Sequence, residues 1–369
     1  MKRKTWMISA LMYAMVFMAC FGVLHVLKTL MEPSGPVSVE SRESGGPEGT
    51  REAKTGEEWE EPAGPALATD SQAQEPQDEV IRQEGYKEWK KKFPGMWTPP
   101  QAPEEPYIPP RLILATDLHY QSALAGDGGE AFRLFVERSD GKVVQYLPEL
   151  LEAFLDEVIE ERPSALVLSG DITMNGERLN HEELAARLKR VQDAGIQVLV
   201  IPGNHDINNH DASVYYGARK EPAPYIDGPE FHDIYHEYGY DQALSRDDSS
   251  LSYVYALDDR NWLLMLDSCQ YEPDNKVEGR LKDSTMAWAD EQLARAKEEG
   301  VFVIPIAHHN LLAQSRMYTT QCAMDNNKEV ISLLQKYELP LFFSGHLHVQ
   351  RIRKHKSEPG VPEGNYGIQ

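Results

Sequence analysis

Five short clusters in this 369-residue chain carry side chains that can hold a metal ion. They are Asp117-Leu118-His119, Gly170-Asp171, Asn204-His205-Asp206, His308-His309-Asn310 and Gly345-His346-Leu347-His348. Carboxylate, imidazole and amide donors together suit Mn, Fe, Zn or Co better than Ca or Mg. One cluster alone would say little. Gly-Asp is ordinary turn chemistry, and Asn-His-Asp after Pro202-Gly203 could be a turn and a helix cap. Gly-His-x-His is more telling, because alternate residues of an extended segment share a face. Together the clusters offer more ligands than one ion needs, whereas two ions about 3.5–4 Å apart would use them all. In the fourth cluster, spacing alone allows either His308 or His309 as the ligand.

Each cluster follows an apolar run, at 112–116, 165–169, 198–201, 301–307 and 341–344. Such runs predict short buried strands. The clusters then lie at the carboxyl ends of strands, where open α/β sheets bind ligands. Residues 147–162 have helical spacing, with Pro148 near the start where it is tolerated. A second helix is expected over 180–194, stopped by Gly195. This β-α-β-α-β rhythm predicts parallel strands with right-handed crossovers. Residues 251–257 and 262–267 read as an antiparallel pair. Helices are expected over 284–299, with Ser284 as N-cap, and over 327–337. Residues 126–142 read as a loop. Residues 207–250, dense in Tyr and His, read as an aromatic wall facing the substrate.

The ordered set of motifs resembles the calcineurin-like metallophosphoesterase superfamily over residues 111–350. Gly-Asp-Ile-Thr-Met-Asn-Gly-Glu at 170–177 is most similar to the branch containing class III cyclic-nucleotide phosphodiesterases. It lacks the Asp-Arg-Gly ending of the protein Ser/Thr phosphatases. The resemblance implies an α/β fold, a four-layer α/β/β/α sandwich of two mixed sheets. It implies two divalent or trivalent transition-metal ions (Mn, Fe or Zn). Asp117, His119 and His348 would hold the first, Asn204, His308 and His346 the second, and Asp171 would bridge them. A metal-bridging hydroxide would attack the phosphorus. His205 is left without a metal, free to protonate the leaving oxygen or to stabilise charge on the phosphoryl group. Asp206 is expected to orient His205. The implied reaction is hydrolysis of a phosphodiester or phosphomonoester, the diester favoured. The alternatives are a binding or scaffold protein on a degenerate phosphoesterase fold and a nuclease of the same superfamily.

A formal net charge of −22 argues against a nucleic-acid-binding surface. Cys20, Cys269 and Cys322 give neither a disulfide framework nor a zinc-type pair. Lys2, Arg3 and Lys4 precede an apolar run of about 21 residues ending near Leu27. This predicts a membrane anchor at 1–31 with the catalytic domain outside the cytoplasm, secretion after signal cleavage being the alternative. Residues 32–110 read as a disordered acidic and Pro-rich linker, and 111–369 as the phosphoesterase domain. The expected partners are a small-molecule, lipid or wall phosphoester and, through the N-terminal helix, the membrane. Residues 365–369 look like the start of a strand, so the sequence is expected to stop short of closing the second sheet.

Overall fold

The computed structural model describes residues 107–139, 141–313, 323–355 and 364–369, together with Lys91 and Gln321. The first half alternates strands and helices: β1 (Leu112–Ala115), α1 (Glu130–Glu137), α2 (Leu147–Glu161), β2 (Ala165–Ser169), α3 (Arg178–Asp193) and β3 (Gln197–Ile201). A hairpin of β4 (Ser213–Tyr216) and β5 (Arg219–Pro222) follows, then α4 (Gly228–Tyr235) and β6 (Ser245–Arg246). The second half comprises β7 (Tyr253–Ala256), β8 (Asn261–Leu266), α5 (Asp283–Glu299), β9 (Phe302–Ala307), α6 (Asn327–Lys336), β10 (Leu341–Phe343), β11 (Ile352–Arg353) and β12 (Asn365–Ile368).

Strands β1, β2 and β3 form one parallel sheet, with Leu114 beside Val167 and Val167 beside Leu199. A seven-stranded mixed sheet runs β11-β12-β10-β9-β8-β7-β6. Within it β8, β9, β10 and β12 are parallel, while β7 pairs with β8 antiparallel, as the sequence suggests. Alternate side chains of one strand face opposite ways, and here they enter different cores. Tyr253, Tyr255, Leu263 and Met265 pack with β2, β3 and the inner faces of α2 and α3. Val254, Trp262, Leu264 and Leu266 pack with α5 and α6. The layers therefore follow the order helix, sheet, sheet, helix.

Three local expectations change. Residues 126–142 contain α1, which starts after Gly129 and lays Phe135 on Tyr215 at 4.3 Å between ring centroids. Gly-Asp-Gly-Gly is its approach, and Ala131, Phe132, Phe135 and Val136 supply the helical spacing. Helix α5 begins one residue before the expected cap: Ser284 lies inside it and meets the hydroxyl of Ser249. The aromatic wall is largely core. Phe231, Tyr235, Tyr238 and Tyr240 are buried between α3, β3 and Tyr253, so these rings cannot face a substrate. The Asn208 and Asn209 amides are spent on the Tyr271 and His205 carbonyls.

The expected anchor at 1–31 lies outside the described residues, as does most of the linker. Among the described residues no helix is long and apolar enough to cross a membrane. The linker's last part is ordered: the Tyr107 hydroxyl donates to Asp258 at 2.7 Å, and Arg260 covers its ring. Strand β12 does form, between β10 and β11, with Tyr366 fully buried.

Candidate metal centre

The topology brings the five clusters together. Asp117, Asp171 and Asn204 leave the carboxyl ends of three adjacent parallel strands. His308, His346 and His348 leave the matching ends of β9 and β10, neighbours in the other sheet. The loops are laced at the backbone: Asp117 N–H donates to the Gly170 carbonyl, His119 N–H to the Asp171 carbonyl and Gly345 N–H to the His308 carbonyl. Asn310 reinforces this by donating to the Gly345 carbonyl at 3.1 Å.

Close approach explains the glycines of these motifs. A methyl group on Gly203 would collide with the backbone nitrogen and Oδ1 of Asp171, and one on Gly345 with Thr116 and Asp117. Gly203→Ala should therefore displace Asp171 and cost several kcal/mol of stability, about 1–3 kcal/mol or more being usual for overpacking. A thermal melt checks this; an unchanged melting temperature and metal content would show that the loops have slack.

The donors form two groups. Asp117, His119, Asp171 and His348 bring one ligand atom each within 4.8 Å of one another, and His308 and His346 belong to a second group with His309. His119 Nε2 stands 2.9 Å from His348 Nε2, and His348 Nε2 stands 3.4 Å from Asp117 Oδ1. His308 Nε2 lies 3.2 Å from Asp171 Oδ2 and 3.2 Å from the Asn204 amide oxygen. Its Nδ1 faces the Ser169 carbonyl at 3.0 Å, and a carbonyl only accepts. That carbonyl puts a proton on Nδ1, so in the neutral ring Nε2 presents a lone pair to two oxygens. His346 does the reverse. Its Nε2 donates to the Gln321 carbonyl at 2.8 Å, leaving Nδ1 bare, buried and, among the described residues, without a hydrogen-bond partner. Lone pairs converging on lone pairs call for a cation between them, so these residues fit metal ions.

Spacing left His308 and His309 undecided, and their surroundings differ. His309 engages Ser268 Oγ at 2.8 Å through Nδ1 and the Val277 carbonyl at 3.0 Å through Nε2, so both its nitrogens are occupied. Proximity alone groups it with His308 and His346; the hydrogen bonds make it a brace for the loop after β8.

The backbone is strained where the candidate ligands sit. Asp117, His119, Asp171, His346 and His348 all have positive φ, between 46° and 76°. Each costs on the order of 1–3 kcal/mol and persists only where its surroundings enforce it, and such residues cluster at functional sites. The loop bonds above are that enforcement.

Charge follows the same plan. Burial would raise the carboxyls of Asp117 and Asp171, but the neighbouring imidazoles outweigh it. His348 and His308 act on Asp117, His308 and His205 on Asp171, and both stay below the usual range. Burial pulls His119 down to about 3 and lowers His346, which keeps both neutral and able to ligate. Burial would also lower His308, but the Asp171 carboxylate lifts it to about 9. In the metal-free chain a proton on His308 thus occupies the place of a cation. Its stabilising effect is complete below the unfolded value near 6.5 and is lost as pH rises through about 9. Metal must displace that proton, so affinity should rise from pH 6 to 9 by up to about tenfold per pH unit. Melts with and without chelator at these pH values check this. The metal-free melting temperature should fall toward pH 9 and the increment from added Mn should grow; a pH-independent increment would contradict the His308 assignment.

His205 is half-buried, with its ring edge-on to His119 at 4.9 Å between centroids. Its backbone N–H donates to Asp171 Oδ1 at 2.8 Å, which turns Oδ2 toward His308. Asp206 does not orient the imidazole as expected. Its buried carboxylate instead accepts from the backbone of Gly203, Ile172 and Thr173 and from the Thr173 hydroxyl. The side chain that follows His205 points back beneath the loops and ties the end of β3 to the end of β2. Burial and the nearby Asp171 charge raise it to about 6. The partners that do hold the His205 ring are Met174 and Asn175, which in the sequence stand out only as part of the 170–177 motif.

Two facing sheets that deliver two carboxylates, an amide and four imidazoles to one edge define a metal-dependent hydrolase centre. The chain matches the family model for calcineurin-like phosphoesterases over residues 110–350, and it belongs to that family. Members of this family use divalent metal ions. A probable cyclic nucleotide phosphodiesterase of Psychrobacter arcticus is 25% identical over 66% of this chain and 76% of its own length. The glycerophosphodiester phosphodiesterase GpdQ of Enterobacter lignolyticus is 28% identical over 52% of this chain and 58% of its own length. The uncharacterized metallophosphoesterase YkuE of Bacillus subtilis is 30% identical over 30% of this chain and 38% of its own length. Among solved structures, a dimetal phosphatase from Danio rerio superposes with a TM-score of 0.47 at 15% identity, over 70% of this chain and 89% of that one.

Proposed function

We propose that the chain is a binuclear-metal phosphodiesterase. The observation that carries this is the convergence of lone pairs on two adjacent places with Asp171 between them: its Oδ2 is 3.9 Å from His119 Nε2 and 3.2 Å from His308 Nε2. Asp117, His119 and His348 would hold one ion of Mn, Fe or Zn type, Asn204, His308 and His346 the other, and Asp171 both. When bound, such ions neutralise phosphoryl charge and lower the pKa of coordinated water toward 7. The protein's own part is fixed by the hydrogen bonds. Asp117 is held by the His346 N–H, Asp171 by the His205 N–H, and His205 faces the same edge with no group among the described residues bonding its Nε2. His205 would bind the ester oxygen that leaves and supply its proton. The diester preference is supported by the names of the Psychrobacter and Enterobacter relatives and by the 170–177 motif. The substrate would be a small-molecule, lipid or wall phosphoester, met outside the cytoplasm by a chain anchored through 1–31.

The experiment is a panel of cyclic nucleotides, glycerophosphodiesters, lipid phosphodiesters and phosphomonoesters with the Mn-loaded full chain. Diester turnover exceeding monoester turnover is expected. Monoester turnover alone would refute the diester preference, and no turnover on any member would refute the enzyme.

A further inference from the structure

Residues 170–177 give Asp171 to the metal centre, yet the second half of this motif has no part in holding metal. It turns instead toward His205. Nδ1 of His205 lies 2.8 Å from the Met174 carbonyl oxygen and 3.1 Å from Asn175 Oδ1. Both oxygens accept, so Nδ1 carries a proton in every working state of the ring, and Nε2 is the nitrogen left to face a substrate. A single main-chain acceptor leaves the ring free to swing about that contact; a second acceptor, offset from the first, sets its plane. Asn175 is itself held. Its backbone N–H donates to Glu177 Oε2 at 2.9 Å. Glu177 is 1% exposed and also accepts from the Asn180 amide at 2.7 Å and from Ser213 N–H at 3.2 Å. The chain of contacts thus runs from α3 and β4 through Glu177 and Asn175 to the imidazole.

We propose that Asn175 is the positioning residue for His205 in ester hydrolysis and that Glu177 fixes Asn175 for that role. The inference rests on His205 acting at the leaving oxygen, as proposed above. In that step the phosphorus–oxygen bond to the leaving group breaks and a bond to the oxygen of the attacking water forms, that water's own proton having gone to solvent; His205 enters as the imidazolium, passes its Nε2 proton to the departing oxygen and keeps the one on Nδ1. A misaimed ring therefore penalises leaving groups that need the proton and spares those that do not.

The test compares methyl phenyl phosphate with methyl 4-nitrophenyl phosphate, two diesters of similar size whose leaving groups differ in basicity. The full Mn-loaded chain is assayed as wild type, Asn175→Ala, Asn175→Asp, His205→Ala and the double variant Asn175→Ala/His205→Ala. Asn175→Ala should lower kcat for the phenyl ester by about 10–100-fold, part of the roughly 10²–10⁴-fold that a general acid contributes. The nitrophenyl ester should lose less than about threefold, with KM and metal content unchanged. Asn175→Asp keeps an acceptor oxygen and should stay near wild type. The double variant should be no slower than His205→Ala, because two residues that act as one do not add. Should Asn175→Ala fail to fold, Glu177→Gln is expected to show the same leaving-group signature at smaller size. Equal losses on both esters, loss of metal, or effects that multiply in the double variant would overturn the inference. An active wild type with unchanged selectivity in Asn175→Ala overturns it alone; a wild type that hydrolyses neither ester overturns the proposed function with it.

Discussion

Asparagine at position 171 should empty both halves of the metal centre together. Asp171 is fully buried, and its two oxygens have separate tasks. Oδ1 accepts the His205 backbone N–H at 2.8 Å, while Oδ2 faces His308 at 3.2 Å and His119 at 3.9 Å. An amide keeps the first contact and places N–H donors, or a neutral oxygen, where the second metal-facing lone pair stood. The anion that would let two cations sit close is then gone. We expect metal content to fall from two ions per chain to fewer than one, and kcat/KM to fall by at least about a thousandfold, or about 4 kcal/mol of transition-state stabilisation. The metal-free protein should suffer as well, since removing one partner of a buried ion pair costs about 3–5 kcal/mol. Elemental analysis, steady-state kinetics and a thermal melt on one preparation check all three. Two ions retained with near-normal turnover would remove Asp171 from the bridging position.

His205→Ala has the second largest expected effect, of a different kind. The ring touches none of the candidate ligands through its nitrogens: Nδ1 is committed to Met174 and Asn175, and no group among the described residues bonds Nε2. Metal content should therefore stay at the wild-type value while kcat falls by about 10²–10⁴-fold on esters with basic leaving groups. The backbone N–H that holds Asp171 survives the substitution, so the carboxylate keeps its orientation. If metal is lost with activity, His205 belongs among the ligands instead.

Much of this site could be read from residue types at strand ends. Asp117, Asp171, Asn204, His308, His346 and His348 each follow an apolar run that does become a strand, and parallel order carries them to one edge. What stayed hidden depends on contacts between segments distant in sequence. Asp206 follows His205 directly, and adjacency suggested a partnership, but a side chain's neighbours after a tight turn are set by the turn. The turn aims Asp206 at Ile172 and Thr173 instead. Spacing did not set His309 apart from His308, and the family resemblance alone favoured His308; the physical reason lies in Ser268 and Val277, about 40 and 30 residues earlier, which occupy the nitrogens of His309. The rings of 207–250 were legible as a cluster. Their direction was not, because Phe231 and Tyr235 at helical spacing suit a core as well as a cleft. Helix α1 was concealed by its glycine-rich approach, although Phe132 and Phe135 already carried its period.

Counting metal ions on the wild-type chain tests the central claim most directly. Chelator-stripped protein would be titrated with Mn at pH 8 by calorimetry, with bound metal confirmed by elemental analysis and activity on bis(4-nitrophenyl) phosphate followed along the titration. Two lone-pair clusters sharing Asp171 require two ions per chain, with hydrolysis appearing as the second site fills. Saturation at one ion with full activity, or saturation at two with no hydrolysis, would contradict the account.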